Sequence, residues 1–286
     1  MGTEQFFPRD RVTVMGVLNA TPDSFSDGGR LLDEFGAASP DRVLAAARAL
    51  TDSGAHLLDV GGESTRPGAA TVSVQEEIDR TAGVIELLAG ELDVPISIDS
   101  RRAPVALAAL GAGARLVNDV SGLFSDPDLA GVVADAGAVL ILGHMRGTPA
   151  TMQRDPHYAD VLEEVAGELE ASVGRARTAG VPSRNLVVDP GIGFGKRFED
   201  NLELLAHLGW LKGRLGLPVM VGASRKAFLG TITGDPVAER EQASHAACAV
   251  AAFTGADAVR VHDAAGAWRA AAVGRAIGSA RRKELP

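Results

Sequence analysis

Polar side chains with chemical potential recur at the ends of short apolar runs. Asn19 closes the run Val12 to Leu18 and opens a loop of acids, hydroxyls and a Gly pair through Gly29. Further on, other apolar runs end at Asp59 with Glu63, at Asp99, at Asn118 with Asp119, at His144, at Asp189, at Ser224 to Lys226, and at Arg260 with His262. The types suit recognition of a small polar molecule. A carboxylate accepts adjacent N–H groups, an amide gives and takes, and an ammonium donates. Arg260 and His262 flank Val261, so on a strand both point to one face and present cationic groups to an anion. A single Asp after a strand is more often a turn or cap residue, and Asp23, Asp119 and Asp263 are of that kind. Caps alone do not call for Asn, Lys, Arg and His at the same kind of place.

The elements that must position these groups follow from the rhythm. Eight runs read as strands: VTVMGVLN, HLLDVGG, PISIDS, RLVNDVSG, AVLILGH, NLVVDPG, PVMVGAS and AVRVHDA. Each is apolar nearly throughout, as in parallel strands covered on both faces. Helix-length segments such as QEEIDRTAGVIELLAGEL separate them, with turn signals SGAH, LGLP, AGVPSRN and TGAD before the next strand. Strand alternating with helix gives a parallel sheet with right-handed crossovers. Eight units predict a single-domain (β/α)8 barrel over residues 1–286, with a short N-terminal extension, about 1–10, and a C-terminal tail, about 280–286. An open doubly wound sheet is the alternative. In a barrel, the carboxyl ends of the strands form one rim, and Asn19 becomes one of eight contributions to it.

Composition narrows the class of partner. The 286 residues are 46% hydrophobic with few aromatics, so Ala, Val, Leu and Gly must fill the core. A net charge of −9 argues against nucleic acid, which needs a basic face. It leaves room for an anionic small molecule, because local Arg and Lys can outweigh the global sign. The lone Cys248 lies in an apolar helical stretch and reads as a small buried residue. With no internal disulfide available, no signal-peptide pattern and no membrane-length apolar run, the expected location is cytoplasmic.

Seven segments, in order, resemble a known family: MGVLNATPDSFSDGG, LLDVGGESTRPGA, SIDS, VNDVSG, DPGIGFGK, GASRK and VRVHD. The set is similar to the dihydropteroate synthases of folate biosynthesis and covers almost the whole chain. The resemblance implies a (β/α)8 barrel, a transferase that joins 6-hydroxymethyl-7,8-dihydropterin diphosphate to 4-aminobenzoate, and release of pyrophosphate. It implies a homodimer through the late helices. It also implies roles for residues. Asp189, Asn118, Lys226 and Asp99 would read the guanine-like edge of the pterin. Thr65, Arg66, Arg260 and His262 would hold the diphosphate, with Pro67 in the same loop. Asn19 would hold a magnesium ion through its amide oxygen, since Mg2+ often takes one protein ligand plus phosphate oxygens. Phe194 and the Ser224-Arg225-Lys226 turn would complete an aminobenzoate slot beneath two lids, Ala20 to Arg30 and Ser64 to Ala70. The catalytic set would be Asp99, Lys226, Arg260 and His262. Taken alone, His262 could instead be a core histidine bonded to Asp263 or to backbone.

Alternatives and departures are also visible. A pterin-binding methyltransferase shares the barrel but has no use for the phosphate set, and a non-catalytic pterin-binding paralogue would be expected to lose STRPG or SRK. GIGFGKR looks like a Walker A loop, but the spacing fails and no Ser or Thr follows Lys196. The six His residues lack zinc-protease spacing. Ser100 stands where the family commonly has Thr, and Ala227 where it often has a hydroxyl residue, which puts one aminobenzoate hydrogen bond in question.

Overall fold

A computed structural model describes residues 2–20, 39–64 and 71–281. Eight parallel strands run β1 (Thr13–Asn19), β2 (Leu57–Gly61), β3 (Ile96–Asp99), β4 (Leu116–Asp119), β5 (Val139–Gly143), β6 (Leu186–Asp189), β7 (Met220–Val221) and β8 (Ala258–Val261). Their order around the sheet is β6-β5-β4-β3-β2-β1-β8-β7. A parallel bridge between Val188 and Val219 joins the two ends, so the sheet closes into the expected barrel. The open-sheet alternative is thereby set aside.

Among the described residues, ten helices wrap this ring: α1 (Pro40–Asp52), α2 (Val74–Glu91), α3 (Ala103–Gly111), α4 (Leu129–Ala136), α5 (Val161–Thr178), α6 (Phe198–Ala206), α7 (Leu208–Leu215), α8 (Ala227–Thr233), α9 (Glu241–Thr254) and α10 (Ala264–Arg281). The crossovers after β6 and β7 each hold two helices instead of one. Local chemistry starts the long ones. Ser73 Oγ accepts the Glu76 N–H at the head of α2, and Asp160 Oδ1 accepts that of Glu163 at the head of α5. Between α9 and α10 the backbones nearly touch. A Cβ on Gly274 would lie 2.0 Å from the Ala249 carbonyl oxygen, so only glycine allows that approach.

The period-2 alternation of strands divides the core in two. One face of each strand packs against the helices in the larger cluster, with Val14, Leu58, Ile98 and Val117 fully buried there. The other face fills the barrel, where Met15, Leu57, Leu116, Ile141, Val187 and Met220 form a separate cluster. Phe6 and Phe7 belong to that inner cluster, and Thr13 Oγ1 donates to the Phe6 carbonyl. The N-terminal residues therefore plug the amino-terminal end of the barrel and are not a mere extension. Cys248 is buried as expected, and burial pushes its thiol up to about 12. No helix among the described residues is long and apolar enough to cross a membrane.

Candidate active site

Following each inward series to its carboxyl end gives the floor of one cavity. On β1 the series is Met15, Val17, Asn19; on β2 Leu57, Asp59, Gly61; on β3 Ser97, Asp99; on β4 Leu116, Asn118. On β6 it is Val187, Asp189, on β7 Met220, Gly222, and on β8 Ala258, Arg260, His262. The cavity at this end measures about 580 Å³ and is lined by Asn19, Asp99, Asn118, Asp189, Phe194, Lys226, Arg260 and His262. Every sequence-predicted site residue that is described meets there, as does Ala227. Thr65, Arg66 and Pro67 lie outside the described residues, as do the two expected lid segments apart from Ala20 and Ser64.

The floor is an ion-pair and hydrogen-bond lattice. Arg260 donates from Nε to Asp59 Oδ2 at 2.6 Å and from Nη2 to Asp99 Oδ2 at 2.7 Å. Asn118 Nδ2 donates to the same Asp59 oxygen at 3.0 Å. Asp59 is fully buried and is one of the residues that had no role assigned from the sequence. Its only signal was its inward place on β2, one pleat before the rim. The lattice also refines the expectation for Arg260, whose guanidinium braces two carboxylates as well as facing the mouth. Burial pushes the Asp99 carboxyl well above its usual range, and Arg260 opposes that shift.

The remaining groups fall around this lattice. Asp189 Oδ1 accepts the Gly191 N–H at 2.7 Å; burial raises its pKa, while that bond and Lys226 oppose the shift. Lys226 Nζ sits 3.7 Å from the centroid of the Phe194 ring. Burial and then Arg260 lower its pKa to about 8. His262 Nδ1 lies 3.0 Å from Ser224 Oγ in the loop after β7. Asp263, the partner considered for it, instead accepts the N–H groups of Ala265 and Gly266 and lies 2.8 Å from His245 Nε2. Asp119 is a turn residue as expected, accepting from Ser121 and Leu123. Glu63 pairs with Arg101 and Arg102 at the rim.

The donor set beside Asn19 suits a hard cation. Gly61 lies between Asn19 and Asp99: a Cβ on it would be in ordinary contact with both, 3.6 Å from Asn19 Oδ1 and 3.8 Å from Asp99 Oδ2. An amide oxygen near a carboxylate is the type of donor that Mg2+ takes, although Asp99 Oδ2 already accepts from Arg260.

A closed eight-stranded barrel with titratable groups at the carboxyl ends of its strands defines an α/β-barrel enzyme class. Residues 15–262 match the pterin binding enzyme family, and the chain belongs to that family. It is 49% identical over 254 residues to a dihydropteroate synthase of Synechocystis, covering 88% of this chain and 86% of the relative. Its fold matches that of Yersinia pestis dihydropteroate synthase in a sulfonamide drug complex, with a TM-score of 0.87, 40% identity and coverage of 96% and 95% of the two chains. It likewise matches Burkholderia cenocepacia dihydropteroate synthase complexed with 7,8-dihydropteroate, with a TM-score of 0.83, 41% identity and coverage of 96% and 95%.

Proposed function

We propose that this chain is a dihydropteroate synthase, a transferase of folate biosynthesis that condenses 6-hydroxymethyl-7,8-dihydropterin diphosphate with 4-aminobenzoate. The observation that carries the reading is the convergence of Asp99, Asn118, Asp189, Lys226, Arg260 and His262 on one cavity. The products are 7,8-dihydropteroate and pyrophosphate. The C–O bond to the diphosphate breaks, a C–N bond to the arylamine forms, and one proton is released. A sulfonamide, itself an arylamine, would compete for the 4-aminobenzoate place. The methyltransferase and non-catalytic alternatives are not favoured.

In this reading, Asp189 accepts the adjacent N–H groups of the pterin edge and Asn118 both donates and accepts. Lys226 donates to the ring carbonyl and stacks against Phe194, which walls the arene slot. Asp99 lies by a ring N–H and stabilises positive charge that develops on the pterin methylene. Arg260 and His262, with Thr65, Arg66 and Pro67 of the 64–70 loop, receive the departing diphosphate. Asn19 would hold Mg2+, which when bound supplies positive charge to the diphosphate oxygens. No activated nucleophile is needed, because the arylamine is neutral and attacks directly.

Self-association is part of the proposal. Val250 on α9 and Val273 and Ile277 on α10 are 48%, 59% and 57% exposed, an apolar face that supports a homodimer through these helices. Sedimentation tests it: a species of one chain's mass at micromolar concentration would overturn it. The cytoplasmic location stays an expectation of the sequence, and cell fractionation tests it.

The activity is tested by pyrophosphate release from the pterin diphosphate with and without 4-aminobenzoate. The reading expects release that depends on the arylamine, and formation of 7,8-dihydropteroate that a sulfonamide inhibits. Pterin binding without any such release would favour the non-catalytic alternative.

A further inference from the structure

The segment Gly191-Ile192-Gly193-Phe194-Gly195-Lys196 failed as a phosphate loop, yet its alternating glycines have a geometric cause. All three have positive φ, at 69°, 82° and 60°. A Cβ on Gly191 would lie 1.9 Å from the His144 carbonyl oxygen, and one on Gly195 would lie 2.9 Å from that of Arg146. A Cβ on Gly193 would meet the Lys226 stem at 2.9 Å. The turn is therefore pressed between the end of β5 and the Lys226 side chain.

Three consecutive carbonyls of this turn are each held by a side chain. Gln153 Nε2 donates to Gly193 O at 2.8 Å, Lys196 Nζ to Phe194 O at 3.1 Å, and Tyr158 Oη to Gly195 O at 2.9 Å. Lys196 is 4% exposed, and its ammonium also donates to His144 Nδ1 at 2.9 Å. His144 Nε2 in turn lies 2.9 Å from Glu168 Oε2, and Arg146 Nε donates to Glu168 Oε1 at 2.9 Å. The carboxylate accepts, so Nε2 must carry the hydrogen and Nδ1 must accept from Lys196. Donation thus runs in one direction, Lys196 to His144 to Glu168, from the cavity wall to the surface.

This turn carries the groups assigned to the substrates. Its Gly191 N–H orients Asp189, its Phe194 ring faces Lys226, and Gly193 supports the Lys226 stem. We propose that Lys196 is a positioning residue: its charged ammonium, anchored through His144 to Glu168, clamps the 191–196 turn and so sets Asp189, Phe194 and Lys226 for pterin binding. The inference rests on the pterin reading above and adds a residue set to it.

Charge is the means, so pH is the readout. Burial drives the Lys196 amine down to about 7; Asp189 and Glu168 oppose that shift, and Lys226 and Arg146 add to it. The ammonium is present below that pH and lost above it, and the clamp loosens as pH rises. His144 is pushed down to about 4, chiefly by burial and next by Lys196, and stays neutral throughout. Glu168 is held near 2, mainly by its bond from His144, and stays ionised.

The test is calorimetric binding of 6-hydroxymethylpterin between pH 5.5 and 9 to the wild type, Lys196→Met and Glu168→Gln, with folding checked by circular dichroism. In the wild type, affinity is expected to fall as pH rises through about 7. Lys196→Met should bind roughly tenfold more weakly at low pH, the loss expected for a hydrogen bond to a charged group, and should lack the limb near 7, keeping only a later fall near 8 from Lys226. Glu168→Gln removes a charge that favours the ammonium, so its limb should move to lower pH. Wild-type affinity in Lys196→Met, or a loss that is uniform with the limb intact, overturns the proposal. If Lys196→Met does not fold, an unmoved limb in Glu168→Gln overturns it. A wild type that binds no pterin refutes the underlying functional reading instead.

Discussion

Asp59 is the sharpest place to press on the site, because it touches nothing but its neighbours in the floor. Its Oδ2 receives Arg260 Nε at 2.6 Å and Asn118 Nδ2 at 3.0 Å, in a fully buried position. Asp59→Asn keeps the shape and removes the charge. The amide oxygen can take the Oδ2 place and keep both bonds, its NH2 falling where Asp59 Oδ1 has no hydrogen-bond partner among the described residues, so the lost charge is what the substitution reads. Breaking a buried ion pair costs about 3–5 kcal/mol when nothing compensates. Here Arg260 keeps Asp99 at 2.7 Å, so the cost falls toward the value of one hydrogen bond to a charged group, about 2–3 kcal/mol. For a chain of this size each kcal/mol moves Tm by roughly 2 °C, which gives a drop of about 4–6 °C. With one brace weakened, the guanidinium swings toward Asp99, and kcat/KM should fall by roughly 10- to 100-fold, or about 1.4–2.7 kcal/mol of transition-state stabilisation. Calorimetric melting and steady-state turnover measure the two effects. An Asp59→Asn protein that melts and turns over like the wild type would refute the bracing role and make Arg260's orientation independent of the lattice.

Other outcomes follow from single contacts. Asn19→Ala should weaken the dependence of turnover on magnesium, read as a rise in the Mg2+ concentration needed for half-maximal rate; an unchanged titration curve would remove Asn19 from the metal site. Ala227→Ser should lower KM for 4-aminobenzoate by up to about tenfold, the value of one hydrogen bond to a charged group, while leaving pterin affinity alone. A change in pterin affinity alone would put this turn on the wrong side of the site. Lys226 gives a charge-assisted bond only when protonated, and burial and Arg260 bring it down to about 8, so kcat/KM should fall as pH rises through that value. Arginine stays protonated, so Lys226→Arg should lose the limb near 8 and keep only the fall near 7 that Lys196 causes, even if its rate is lower; a limb near 8 that persists would assign it to another group.

What the sequence revealed and what it hid have different physical origins. The barrel and its rim were legible because parallel strands advertise themselves as β-branched runs, and their carboxyl ends gather at one face whatever the details of pairing. Asn19, Asp99, Asn118, Asp189 and Arg260 are ends of that kind. The roles of Asp59 and Arg260 as lattice partners were hidden because they depend on closure of the sheet, which brings together residues 201 positions apart. Lys196 was hidden for another reason. Its motif was tested against a phosphate loop and failed, while the true cause of the glycines, close approach to the His144 and Arg146 carbonyls, is a contact between separate crossovers. Phe6 and Phe7 looked like the start of an extension because nothing local marks two aromatics as a barrel plug. The resemblance carried Thr65, Arg66 and Pro67 into the site, and their placement lies outside the described residues.

The central claim is that the strand-end carboxylate, amide and ammonium read the guanine-like edge of a pterin. A crystal structure of the protein with bound 6-hydroxymethylpterin tests it most directly. The account predicts that edge within hydrogen-bond distance of Asp189, Asn118 and Lys226, with the hydroxymethyl group directed toward Arg260 and His262. A pterin bound elsewhere, or bound in this cavity with its hydroxymethyl group turned toward Asp189, would contradict it.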